Sequence, residues 1–224
     1  MQNNRTIRIM VWKELRENVP LAVVGLLAGL FVVSQGMLDV FSWSSTYQYT
    51  IPFVYYDGTL SRLSFVSAML GMALGFRQSV WESHTGTYLF LLHRPLQRWS
   101  IIAVKVVVGL LLYAGTMAIP LLVYSVWAAT SGTHASPFFW SMTLTGWKSL
   151  AFTTLFYFGA FLSGISSGRW YGSRLLPLAA LAGAVGVLSH GMRFWPWLCA
   201  AGLTLIGVLA WLAIVRTSTT REYA

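Results

Sequence analysis

Residues able to do covalent chemistry are few in this sequence, and their spacing keeps them apart. Gly164-Ile165-Ser166-Ser167-Gly168 matches G-x-S-x-G, a turn that presents a nucleophilic serine. Acyl transfer at Ser166 needs a base within hydrogen-bond reach. The best base, His190, falls at the far end of the next apolar segment, roughly 25–30 Å away at helical rise. The motif therefore reads as a small-residue helix end. His84 and His93 lie nine apart with no cysteine nearby, and His134 and His190 fall elsewhere, so metal or haem ligation is weakly supported. Cys199 stands alone, which excludes an intramolecular disulfide and a Cys-based zinc site. A P-loop needs Gly-Lys followed by Ser or Thr. The lysines here follow Trp12, Val104 and Trp147, so no P-loop motif is present in the sequence. The sequence offers no catalytic, cofactor-binding or metal-binding residue.

Ion-coupled transporters hold ionisable groups in mid-span. The expected span centres here contain essentially none, with Asp39 and Asp57 in a loop, Glu222 in the tail and Lys105 near a membrane surface. This argues against a secondary transporter or a selective channel. It mildly favours a hydrophobic or lipid-like cargo.

The elements that carry these residues follow from composition. Of 224 residues, 56% are hydrophobic and 9% charged. A soluble domain has about 25% charged residues and could not cover its surface with so few. The net charge of +9 has no basic stripe with interleaved aromatics, so nucleic acid is not the partner. A span needs about 20 apolar residues. Six segments qualify: 19–38, 63–78, 100–129, 149–167, 175–191 and 195–215. The fold class is all-α, a six-helix transmembrane bundle. Pro120 predicts a tilt or kink in the third span. The fifth, rich in Ala and Gly, suits a helix packed inside the bundle. The first apolar run starts far from Met1 and lacks a cleavage site, so the N-terminus reads as retained.

Basic residues set the orientation. With the N-terminus in the cytoplasm, Arg5, Arg8, Lys13, Arg16, Arg77, Arg94, Arg98, Lys105, Arg169, Arg174, Arg216 and Arg221 lie inside, and Arg62, Lys148 and Arg193 outside. Both termini are expected in the cytoplasm of a plasma (inner) membrane protein. Tryptophans near the span ends agree, since Trp prefers the headgroup layer. Gly25 and Gly29, and Gly71 and Gly75, form GxxxG pairs that suit packing inside the bundle or at a dimer interface.

Three units follow: 1–18, a cytoplasmic amphipathic interfacial helix; 19–216, the six-span domain with a cytoplasmic loop at 77–99; and 217–224, a cytoplasmic tail. In the first, Ile7, Met10, Val11 and Leu15 share a face, flanked by Arg5, Arg8, Lys13 and Arg16. Such a helix binds the interface through its apolar side and attracts anionic lipid. Glu14 falls beside Met10 on that apolar face. The favoured expectation is that it snorkels to water; the sharper one is an ion pair with a basic residue of the next cytoplasmic loop. In that loop, Ser83 or Thr85 can cap a short helix through Tyr88, Leu89, Leu91 and Leu92, which Pro95 stops.

Trp12, Lys13 and Glu14 near the start, then Glu82, Gly86, Thr87, Leu91, Leu92, Arg94, Pro95, Arg98 and Lys105 after the second span, give the chain a likeness across nearly its whole length. It resembles the membrane subunit, or permease, of type-2 ATP-binding-cassette (ABC) transporters. The resemblance implies that the N-terminal helix, with Trp12, Lys13, Glu14 and Arg16, is a connecting helix at the membrane surface. It implies that loop 77–99 is a coupling helix seated in a groove of a cytoplasmic ABC ATPase, with ATP-Mg bound by that partner and no cofactor in this chain. It also implies a second permease chain, as homodimer or heterodimer. The function expected is export driven by the separate ATPase. The alternatives are a non-transporting membrane anchor or assembly protein that recruits a cytoplasmic partner, and an integral membrane enzyme, which lacks an acid–base constellation. The aromatic outer loop 39–61 reads as an interfacial segment on the outer leaflet, or as an external gate.

Overall fold

The computed structural model describes residues 2–41, 52–53, 58–85, 98–133, 137–166, 168–169, 172–192 and 194–220, with side chains for 6–38, 52–53, 58–80, 99–133, 137–166, 168–169, 172–192 and 194–217. Among them there are only helices and turns. In chain order these are α1 (Gln2–Phe41), α2 (Gly58–Thr85), α3 (Arg98–Ala129), a 3-10 turn (Trp140–Thr143), α4 (Leu144–Ile165), a second 3-10 turn (Ser173–Leu175), α5 (Leu176–Gly191) and α6 (Pro196–Thr220). Six helices are long and apolar enough to cross a membrane, in the six places the apolar runs predict. The chain is an all-helical, multi-pass membrane protein. Exposed Trp99, Trp140, Trp195 and Trp197 stand at or just before helix starts, where an aromatic belt belongs.

α1 differs from expectation. It runs unbroken through Pro20, so the boundary expected between residues 18 and 19 falls inside one helix. A proline in a helix interior loses one intrahelical bond and clashes with the preceding turn. Packing offsets that cost here, because α1 is held against both α2 and α3 along its length. α3 likewise continues through Pro120. At the other chain end, α6 reaches Thr220, past the start of the expected tail.

The core lies between α2, α3 and α4. α4 packs most extensively against α2 and also touches α3, α5 and α6. Leu70, Leu74, Ile102, Val106, Tyr113, Met117, Tyr157 and Phe161 fill this centre. Both GxxxG pairs work inside the chain. A Cβ on Gly75 would lie 2.5 Å from the Tyr157 carbonyl oxygen and 2.9 Å from the Phe161 nitrogen, so α2 meets the α4 backbone directly. Gly25 faces Leu70 and Gly29 faces Pro120, which seats α1 on α2 and α3.

α5 corrects a second expectation. It was read as an inner helix, yet none of its residues is buried. Gly159 lets it approach α4 closely, with Leu178 Cα 3.0 Å from where a Cβ would stand. Small residues permit close approach but cover little, and Gly183 and Gly186 face open space.

At the end of the bundle away from the termini, Phe53 is buried among Val33, Leu60, Leu63, Leu121 and Tyr124. Its ring lies 4.9 Å from Tyr124 and its φ is +65°, an uncommon region for a bulky residue. This part of loop 39–61 therefore tucks into the bundle instead of lying flat. Residues 42–51 and 54–57 lie outside the described residues.

Candidate functional site: a buried charge pair between the first and third helices

The inward stripe of α1 near its N-terminus carries Met10, Glu14 and Asn18, each one turn from the next. An apolar residue in this stripe explains itself; a carboxylate does not, unless a cation meets it. Lys105 on α3 does so. Its Nζ donates to Glu14 Oε1 at 2.7 Å, and the side chains are 1% and 3% exposed. Met10 packs on Ile101 beside the pair, with Val104 against them. Glu14 thus does not snorkel to water. The ion-pair expectation holds in kind, although Lys105 lies past loop 77–99 rather than within it.

The pair is the first link in a chain of buried polar groups. Asn18 Nδ2 donates to the Glu14 main-chain oxygen at 2.7 Å, while its Oδ1 has no partner among the described residues. On α2, Gln78 Nε2 donates to the Lys105 main-chain oxygen at 3.1 Å. On α4, the Tyr157 hydroxyl donates to Gln78 Oε1 at 2.6 Å. Four helices, α1 to α4, are therefore tied by polar contacts in one layer. Gly109 makes room for it, since any Cβ there would strike Gln78 Oε1 and the Tyr157 hydroxyl.

A second polar layer lies further along α2 toward its start. Ser67, Tyr113 and Thr153 form a hydroxyl triangle, with Ser67–Tyr113 and Tyr113–Thr153 at 2.6 Å and Ser67–Thr153 at 3.0 Å. Ser64 and Ser149 are 2.5 Å apart one turn beyond. These groups satisfy one another, as hydroxyls inside a membrane bundle must. At the end of α4, Arg174 donates from Nε to the Ser163 oxygen at 3.1 Å and from Nη2 to the Gly164 oxygen at 2.8 Å. A cation on the last carbonyls satisfies acceptors that a helix end leaves open.

The expected site residues fall as follows. Glu14 is buried in the pair, whereas Trp12 and Arg16 are exposed on the opposite side of α1. Lys13 makes a 3.7 Å pair with Glu17 one turn on. Met10, expected on a lipid-facing side, points inward with Glu14, so the two faces of the expected interfacial helix are exchanged. α2 continues to Thr85 and α3 begins at Arg98, so residues 77–85 extend the helix rather than open a loop. Glu82 lies on α2, and its side chain, like that of Arg98, is outside the described residues. Gly86, Thr87, Leu91, Leu92, Arg94 and Pro95 lie outside them too. Gln78 and Tyr157 were missed by sequence reasoning. A glutamine one turn before a conspicuous acid, facing an aromatic helix, was the available signal for Gln78.

Chemically, this layer is a set of mutually bonded polar groups. No nucleophile meets a base in it. Ser166 ends α4 with its amide bonded to the Leu162 oxygen, and His190 stands in the last turn of α5, about 20 Å along that helix from its start. Among the described residues, no three of His, Cys, Asp and Glu gather as metal ligands would. A neutral pair inside a bundle instead fixes how two helices sit, and it breaks if they separate.

The fold and the layer define a polytopic helical membrane protein with a buried charge pair between its first and third helices. No family model, curated protein or solved structure matches the chain.

Proposed function

We propose that this chain is the membrane-spanning permease subunit of an ATP-driven ABC transporter, an exporter, moved by a separate ATPase that docks on segment 77–99. The observation that carries the reading is the Glu14–Lys105 pair. These residues stand 91 positions apart, and both belong to the pattern on which the family resemblance rests. Their contact supports treating the two stretches of that pattern as one mechanical unit.

In this reading both termini and segment 77–99 face the cytoplasm of the inner membrane. Its two stems are the end of α2 and the start of α3. Gln78 joins the stems by its bond to the Lys105 main chain, and Lys105 passes the load to α1. Closure of two nucleotide-loaded ATPases pushes on the segment, and the four linked helices rock as a body between two arrangements. The open small-residue face of α5 supports a second permease chain beside it.

The test is a search of the neighbouring genes for a P-loop ATPase, its co-expression with this chain, and then co-purification and ATPase turnover in proteoliposomes. Wild type should retain the ATPase and stimulate turnover. Glu82→Ala, and the double change Leu91→Asp with Leu92→Asp, should lose both. Unchanged association and turnover in these variants would sink the docking assignment. Retention of the ATPase without any stimulation by wild type would favour the anchor alternative.

A further inference from the structure

The exchange of faces on α1 leaves a second surface to account for. Residues 8, 9, 12, 15, 16 and 19 are exposed, and at 100° per residue they form one continuous stripe. It reads Arg8, Ile9, Trp12, Leu15, Arg16, Val19. Trp12 is 69% exposed, although it sits among apolar neighbours. Toward the span the stripe continues as exposed Val23, Val24, Leu27 and Phe31, which are lipid-facing by composition.

The charge on this stripe is uncompensated among the described residues. Glu14 is consumed by Lys105 on the inner side, and Glu17 is paired with Lys13. Neither Arg8 nor Arg16 has an acidic partner among the described residues. Two guanidinium groups two turns apart, with an indole midway between them, therefore offer a place for an anion.

The height of the stripe identifies that anion. Met10 packs on Ile101 and Glu14 pairs with Lys105, so α1 and α3 run parallel here: exposed Trp99 on α3 stands level with Arg8, and Trp12 lies about 6 Å further along the axis. Exposed tryptophans this close in depth mark the headgroup layer between them. Arg8 stands at the Trp99 edge of that layer, and Arg16 lies about 6 Å beyond Trp12, four residues on at helical rise. Helical side chains lean toward the N-terminus, which turns Arg16 back from the hydrocarbon toward the phosphates. Arg is suited to phosphate because its planar fork donates two hydrogen bonds at once.

We infer that this stripe is a binding site for an anionic phospholipid of the leaflet on the side of the termini. Arg8 and Arg16 take the phosphate region, Trp12 lies against the headgroup–glycerol junction, and Leu15, Val19 and Val23 receive the first part of an acyl chain. Zwitterionic lipids share the phosphate but carry a compensating cation, so the site prefers lipids of net negative charge. The inference requires only the membrane placement of α1 and stands whether or not an ATPase is the partner.

Lipid retention tests it directly. The full chain, purified in mild detergent, is exchanged into mixed micelles holding equal phosphatidylglycerol and phosphatidylcholine, and bound lipid is counted by native mass spectrometry. Wild type should retain phosphatidylglycerol several-fold over phosphatidylcholine, with the preference falling as salt rises. Arg8→Gln with Arg16→Gln should abolish the preference, Arg8→Lys with Arg16→Lys should keep part of it, and Lys13→Gln should leave it unchanged. Equal retention of both lipids by wild type would overturn the site, as would an unchanged preference in the double glutamine variant. Should that variant misfold, the wild-type salt titration decides: a preference indifferent to salt refutes an arginine-held phosphate.

Discussion

Replacing Lys105 with methionine isolates the charge pair from everything around it. The change removes the ammonium group but keeps a long apolar stem of similar length. It also keeps the main-chain oxygen that Gln78 Nε2 bonds at 3.1 Å, so the Gln78–Tyr157 link survives. What remains is the Glu14 carboxylate, 3% exposed, with no cation. Removing one partner of a buried pair costs about 3–5 kcal/mol, because the other charge stays desolvated. At 1.4 kcal/mol per tenfold, that lowers the folding equilibrium by a factor of about 140 to 4,000. Glu14→Leu should cost a comparable amount, since it strands the ammonium instead. The double variant Glu14→Leu with Lys105→Met should cost less than about 1 kcal/mol, because an apolar pair of similar volume needs no desolvation. Reversible unfolding in mixed micelles, titrated with a denaturing detergent and followed by helicity, measures all four proteins. Non-additivity is the decisive quantity. A double variant as unstable as the sum of the singles would refute the reasoning, and so would single variants within about 0.5 kcal/mol of wild type, the range of an ordinary surface change. The double variant also separates stability from transmission. If the pair links α1 to α3 in the working cycle, that protein is folded yet stimulates its ATPase poorly.

Three further outcomes are expected in the same unfolding assay. Gly75→Ala drives a methyl group into the α4 backbone at Tyr157 and Phe161, which cannot move aside as a side chain would, and should cost about 1–3 kcal/mol; Gly183→Ala, facing open space in mid-helix, should be neutral or slightly stabilising. Tyr113→Phe removes the hydroxyl from the Ser67–Thr153 triangle but leaves those two 3.0 Å apart, so the loss should be about 0.5–1.5 kcal/mol, typical of hydrogen bonds between membrane helices. Arg174→Gln frees the carbonyls of Ser163 and Gly164 at the end of α4 and should raise proteolysis in segment 166–175 before global unfolding changes.

The spans were legible because length and apolarity are local properties. All six appear where the apolar runs lie, and their ends move by a few residues except in α1. There the sequence signal misled for a physical reason. Pro20 and the change from mixed to apolar composition both mark a boundary by local rules, yet α1 is anchored on each side of Pro20 by contacts with α2 and α3. Local propensity argues for a break, and tertiary packing overrides it. α5 failed in the opposite direction. Its alanines and glycines announced close packing, which Gly159 and Leu178 confirm on one side, but small residues cannot say how many neighbours a helix has.

Glu14 shows most plainly what a linear pattern holds and what it lacks. Helical periodicity placed it on the face of Met10, and that is where it lies. The step that went wrong was to assume that the apolar face met lipid. A face containing one carboxylate is a poor lipid surface and a good protein surface, provided a cation waits across the interface. Lys105 is a single cation in a run of apolar residues, so it poses the same puzzle on α3. Each charge is anomalous alone, and the two anomalies cancel only against each other. Pairing unexplained charges between segments is therefore a rule that reads this contact from sequence. It also predicts the remaining consequence: once Glu14 turns inward, helical geometry forces Arg8, Trp12 and Arg16 outward, so the buried pair and the lipid-facing stripe are two sides of one constraint.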